Sequence, residues 1–232
     1  MTAEPAPSPL PSVGEVLPAA VLWDMDGTLV DTEPYWIECE RRLVAEYGHV
    51  WTDEDAHALV GSSLLVSAAY IRDRGRVPLE PAEIVERLLA GVIEEVRRHV
   101  PFRPGALELL EALVGLGVPC ALVTMSYRSL AGAVVDALPP GRFGVVVAGD
   151  DVTNGKPHPE PYLTAAARLG VPPEACVAIE DSPTGVASAV AAGVPTLAVE
   201  HLLPIAPGPR RTVVATLEGW TPAGLGALLD RG

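Results

Sequence analysis

Residues 19–23, Ala-Ala-Val-Leu-Trp, are apolar on both faces of an extended chain, and the run stops at once on Asp24-Met25-Asp26-Gly27-Thr28. A strand that is apolar on both sides belongs inside a parallel sheet, since a strand with one wet face alternates apolar and polar residues. Four more short apolar runs follow, at Val118–Met125, Val145–Gly149, Cys176–Ile179 and Pro195–Val199. Helical stretches separate them, at Gly105–Leu116, Ser129–Leu138, Glu160–Leu169 and Thr184–Ala192. Strand alternating with helix predicts an α/β fold, a Rossmann-like doubly wound parallel sheet covered on both faces. Val213–Leu217 and Pro222–Leu229 add a last short strand and a closing helix.

One interval breaks this rhythm. Between the first strand and Val118 the chain reads as purely helical. Ile84, Leu88 and Val92, with Val85, Leu89, Ile93 and Val96, keep the three-to-four spacing of an amphipathic helix. Ile37–Tyr47 and Asp53–Val60 are also helical in pattern, the second with Thr52 or Asp53 as N-cap. The predicted organisation is a disordered proline-rich tail over 1–18, a core domain built from 19–33 and 101–232, and a small all-helical domain inserted over 34–100. The return segment Pro101-Phe102-Arg103-Pro104-Gly105 is stiff and turn-rich, as a hinge would be.

Composition narrows the partners. The 232 residues carry a formal net charge of −14, with a pI near 4.7, so a polyanionic nucleic acid would be repelled. No apolar run approaches the roughly 18 residues that a membrane helix needs. Three well-separated cysteines, Cys39, Cys120 and Cys176, suggest neither a disulfide framework nor a structural zinc site. The first basic residue is Arg41, so no secretory, twin-arginine or mitochondrial leader is expected. A cytoplasmic monomer acting on a small molecule is the expectation.

Open parallel sheets place their ligands at the carboxyl ends of the strands, and four groups of polar residues fall there. Asp24 and Asp26 end a buried strand and point to the same side. Paired carboxylates in such a place call for a cation, and Mg2+ suits oxygen ligands. Thr124, followed by Met125 and Ser126 before a helix, offers a hydroxyl and backbone N–H groups to an anion. Lys156 is the only lysine in the chain and supplies a compact point charge. Glu180-Asp181 close another apolar run and would complete a metal's ligand set with Asp24 and Asp26. Taken singly, each pattern also fits an acidic turn, an ordinary N-cap or a solvated loop lysine.

Together, in this order, the four groups resemble the motifs of the haloacid dehalogenase superfamily, over about residues 19–200. Asp24-Met25-Asp26-Gly27-Thr28 matches the first motif, Thr124 the second, Lys156 the third and Glu180-Asp181 the fourth. The insertion after the first motif is similar to the family's first class of helical cap. Val30-Asp31-Thr32-Glu33-Pro34 and Gly155-Lys156-Pro157-His158-Pro159 resemble the branch of beta-phosphoglucomutases and sugar-phosphate phosphatases. The resemblance implies Asp24 as nucleophile and Asp26 as general acid and base. It implies Thr124, Met125, Ser126 and Lys156 as the phosphoryl site, and Mg2+ bound by Asp24, the Asp26 carbonyl and Asp181, with Glu180 as ligand or neighbour. Gly61, Ser62 and Ser63 in the cap would read the substrate.

The expected activity is a Mg2+-dependent phosphatase acting on a small phosphorylated, sugar-phosphate-like metabolite. Mutases of that branch carry a cap arginine near the position of Ser63, a histidine at that of Trp36, and a lysine at that of Tyr127. Their absence favours hydrolysis, although Arg72, Arg74 and Arg76 stand as possible substitutes in a phosphosugar mutase. A non-catalytic protein of the same fold is the alternative of another class. It predicts loss of Asp24, Asp26, Lys156 or Asp181, and all four are present. The five histidines and three cysteines read as solvated side chains and inert packing.

Overall fold

The structure is a computed structural model that describes residues 16–59 and 63–231. Residues 1–15 of the proline-rich segment, and Val60, Gly61 and Ser62 of the insertion, lie outside the described residues. Of the next residues, Pro18 is buried, and a Cβ at Gly226 would collide with the Val16 carbonyl.

Contacts divide the chain into two compact units, with the boundaries at Asp31/Thr32 and Pro101/Phe102. The larger unit is a six-stranded parallel sheet. Its strands are β1 (Ala20–Trp23), β2 (Cys120–Val123), β3 (Val145–Val147), β4 (Cys176–Glu180), β5 (Thr196–Val199) and β6 (Arg211–Val214), in the order β3-β2-β1-β4-β5-β6. β1 pairs with β2 through Trp23↔Leu122 and with β4 through Trp23↔Ile179, so the order reverses around it. That reversal is the topological switch point at which such sheets bind ligands. β1, β2, β4 and β5 are buried at every residue, as continuous apolar runs require.

Helices α5 (Ala106–Gly115), α6 (Arg128–Asp136), α7 (Glu160–Leu169), α8 (Pro183–Ala191) and α9 (Pro222–Gly226) follow the smaller unit in the chain. The core beneath α7 joins Ala20 and Leu22 of β1, Ala121 and Val123 of β2 and Ala178 of β4 to Tyr162, Ala165 and Ala166. Alanines on both sides let the helix lie close to the strands, which brings Tyr162 within reach of the strand ends.

The smaller unit is all helical: α1 (Glu33–Glu46), α2 (Asp53–His57), α3 (Leu64–Arg74) and α4 (Pro81–Arg98). α4 packs against α1 and α3 and buries Ile84, Val85, Leu88, Leu89, Val92 and Val96, the stripe its spacing predicts, while Ile93, expected in the same stripe, is only half-buried. Thr52 caps α2: its side chain accepts from Asp55 N–H, while the Asp55 carboxylate accepts from Thr52 N–H. Trp51 packs edge-on against Tyr70 and donates from Nε1 to the buried Glu40 at 2.9 Å.

Several limits differ from expectation. β2 ends at Val123 rather than Met125 because Thr124 turns into a polar loop, its N–H still bonded to Val147 O. β6 runs over Arg211–Val214 rather than 213–217. Leu217 is buried instead where its backbone passes against Gly105, which holds φ at 79°. The closing helix stops at Gly226, and α3 is a separate helix that the sequence pattern had not distinguished.

Candidate active site

Asp24 is the first residue past β1, and its N–H still bonds to Ile179 O at 3.0 Å. The chain then folds back sharply, with Gly27 N–H bonded to Val30 O and the Leu29 and Val30 N–H groups bonded to Met25 O. Gly27 holds φ at 89°, and a Cβ there would collide with the Asp181 carboxylate. Both conditions require glycine. β1, β2 and β4 are neighbours, so Asp24, Thr124 and Glu180 meet at one edge.

Lys156 reaches into that edge from the loop before α7. Its side chain is only 5% exposed, and each of its three donors has an acceptor: Asp24 Oδ1 at 2.5 Å, Glu180 Oε1 at 2.6 Å and Val123 O at 2.9 Å. Burial pulls the ammonium pKa down, but Asp24 and Glu180 outweigh it and hold Lys156 charged, above its ordinary range. The loop is pinned by Lys156 N–H on Met125 Sδ at 3.2 Å. Glu180 also accepts from Tyr162 OH at 2.7 Å and, on its other oxygen, from Asp181 N–H, Ser182 N–H and Ser182 Oγ. Its side chain fits because Gly185 has no Cβ to strike it.

Burial lifts the Asp24 carboxyl well above the usual range, Glu180 and Asp181 add to the rise, and Lys156 opposes it. Burial also raises Asp181. Asp24, Glu180 and Asp181 each present a carboxylate oxygen within 4.8 Å of the others. An excess of hard anionic oxygens around one lysine is the donor set a divalent cation such as Mg2+ would relieve, so the residues present fit that ion.

Asp26 is held by hydroxyls from the loop after β2. Its Oδ2 accepts from Ser126 Oγ at 2.7 Å and Thr124 Oγ1 at 3.3 Å, while Ser126 N–H donates to Thr124 Oγ1 at 2.9 Å. The structure therefore gathers Asp24, Asp26, Thr124, Met125, Ser126, Lys156, Glu180 and Asp181 around the carboxyl ends of β1, β2 and β4. Ser63 is exposed, just before α3 in the smaller unit, and Gly61 and Ser62 lie outside the described residues.

Three participants were not singled out from sequence. Thr28, fully buried, donates to Asp181 Oδ1 at 3.2 Å. Tyr162 anchors Glu180, and its ring centroid lies 5.2 Å from Lys156 Nζ. His201, read as solvated, is instead 12% exposed and lies between Asp31 and Asp181. Thr28 was visible within the first motif; the other two have no local signal. Arg128, at the start of α6, is tied to Asp151 and to Val146 O. The cysteines are inert: burial pushes Cys39 and Cys176 to about 11 and Cys120 to about 12. Among the described residues, no helix is long and apolar enough to cross a membrane.

Residues 18–193 match the family model described as haloacid dehalogenase-like hydrolase. The chain is 36% identical over 188 residues to a phosphorylated carbohydrates phosphatase of Thermotoga maritima, covering 75% of this chain and 82% of that protein. It is 31% identical to the phosphoglycolate phosphatase of Escherichia coli, over 78% of this chain and 81% of the relative. Among solved structures, a mutant CbbY from Rhodobacter sphaeroides in complex with xylulose-(1,5)bisphosphate superposes with a TM-score of 0.78 at 26% identity, covering 90% of this chain and 99% of the other. Strand order, the gathered strand-end residues and these likenesses agree: the chain belongs to the haloacid dehalogenase-like hydrolase family.

Proposed function

We propose that the protein is a Mg2+-dependent phosphatase that hydrolyses a small phosphorylated, sugar-phosphate-like metabolite through an aspartyl-phosphate on Asp24. The observation that carries this reading is the buried Asp24–Lys156–Glu180 cluster beside a second acid, Asp26, which has its own hydroxyl partners. The names of the relatives, which act on phosphorylated carbohydrate and phosphoglycolate, support the substrate class.

A bound Mg2+ would be held by Asp24, Asp181 and the Asp26 carbonyl, and supplies neutralisation of phosphoryl charge. Asp24 attacks phosphorus in line and the ester oxygen leaves. Lys156 favours the anionic form of Asp24 and neutralises charge on the phosphoryl oxygens. Asp26 gives its proton to the leaving alkoxide, then takes one from the water that attacks the phosphorus and frees Asp24. Ser126 and Thr124 hold Asp26 in place, and the Thr124-Met125-Ser126 turn receives the phosphoryl group. Glu180 serves chiefly to anchor Lys156, since both its oxygens already accept hydrogen bonds. The helical unit would act as a lid that selects substrates through Gly61, Ser62 and Ser63.

Hydrolysis is favoured over phosphosugar transfer because two of the three substitute cations are engaged: Arg74 pairs with the buried Asp55 at 2.8 Å and Arg72 with Asp73 at 2.8 Å. Turnover of para-nitrophenyl phosphate, with and without Mg2+, tests the reading. Wild type should need Mg2+, and Asp24→Asn should lose all but background activity while staying folded. A variant that keeps more than about a tenth of the rate ends the covalent mechanism, which has no other nucleophile.

A further inference from the structure

His201 follows β5 in the chain, Asp31 ends the turn that follows β1, and Asp181 follows β4. The three come together. Asp31 Oδ1 lies 3.6 Å from His201 Nε2, and His201 Nδ1 lies 3.7 Å from Asp181 Oδ2. The other oxygen of Asp181 accepts from Thr28 Oγ1. Asp31 Oδ1 is buried and, among the described residues, has no hydrogen-bond partner; the imidazole edge is the polar group that faces it. A ring flanked by a carboxylate at each nitrogen has its plane fixed by both.

We propose that His201, itself oriented by Asp31, is a positioning residue that holds the Asp181 carboxylate in the direction a divalent cation needs. The inference rests on the reading of Asp181 as a metal ligand. Thr28 alone would leave the carboxylate to swing about one hydrogen bond, and the His201 imidazole stands beside its second oxygen, close enough to limit that swing. Partners of this kind, one layer behind the ligand, set metal affinity without touching substrate.

Calorimetric titration of Mg2+ into the metal-free protein tests this, on wild type, His201→Leu, His201→Asn and Asp31→Asn, with melting curves to show each is folded. His201→Leu should bind Mg2+ at least about tenfold more weakly. His201→Asn, whose amide can stand near the former Nδ1, should recover most of the affinity, and Asp31→Asn should fall between. At saturating Mg2+, KM for para-nitrophenyl phosphate should stay at the wild-type value in all three. Unchanged Mg2+ affinity in His201→Leu overturns the proposal, and a raised KM with unchanged Mg2+ affinity makes the imidazole a substrate contact instead. If wild type itself binds no Mg2+, the metal reading of Asp181 fails, and this inference falls with it. Binding and turnover by wild type with no effect of His201→Leu leave the phosphatase reading standing and remove only this one.

Discussion

Lys156 shows how much one residue carries. An ammonium buried to this degree costs several kcal/mol to desolvate, and only close acceptors offset it. Here three do, two of them carboxylates. Lys156→Met keeps the side-chain length and removes the charge, leaving Asp24 and Glu180 facing one another. Without Mg2+, its unfolding free energy should drop by about 3–5 kcal/mol. Added Mg2+ should restore part of it, since a second cation relieves the same carboxylates, while turnover stays down by about 10²–10³-fold. Denaturant titrations with and without Mg2+ read the first two effects. Asp24, Asp26, Glu180 and Asp181 were legible in the sequence because they close apolar runs, where a polar residue needs a reason, and Lys156 because it is the only lysine in the chain. Tyr162 and His201 were not. Tyr162 belongs to a helix face that reads as ordinary core, and His201 gains meaning only when three distant loops converge.

Elements hold these side chains through sterics that a strand–helix pattern only partly reveals. The turn after β1 leaves room for Asp181 only if residue 27 has no side chain. Gly27→Ala should cost about 1–2 kcal/mol from its positive φ alone. By displacing Asp181 it should also lower kcat/KM by about 10²-fold, as thermal melts and kinetics on the same sample would report. The limits of β6 differ from expectation because Leu217 looks like a strand residue but is buried by loop packing. In the helical unit, the pairing of Glu40 on α1 with Trp51 was equally hidden, as glutamate on a helix usually faces water. Burial raises that carboxyl from 4.5 to about 7, the Trp51 hydrogen bond opposing the rise. The folded protein therefore holds a proton that the unfolded chain releases near 4.5, so this group's contribution to stability falls as pH rises from about 4.5 to 7 and is flat above. The shift corresponds to roughly 3 kcal/mol at most. Asp24 and Asp181 act in the same direction, so the difference between wild type and Glu40→Gln isolates Glu40. Denaturation at about pH 5.5 and 8 should show a smaller decline in Glu40→Gln; an equal decline would remove Glu40 as the cause.

The chain divides into two units, and the proposed function gives chemistry to one and selection to the other. The residues proposed to act on phosphorus all lie in the sheet unit, and they should act on every substrate alike. If the helical unit selects substrates, Ser62→Ala and Ser63→Ala should alter the ranking among phosphorylated metabolites more than the rate on para-nitrophenyl phosphate. Both rates falling together would mean that the segment only supports the fold. The division itself was legible, because a helical pattern interrupts a strand–helix alternation at one place. What the chain does with it depends first on whether Asp24 becomes covalently phosphorylated. Rapid acid quench during turnover of para-nitrophenyl phosphate, followed by peptide mapping, measures this directly. The expected result is a phosphoryl group on Asp24, formed with Mg2+ present, absent in Asp24→Asn and lost when the substrate is exhausted before the quench. Steady turnover with no phosphoryl group on the protein, or with one on any other residue, would contradict it.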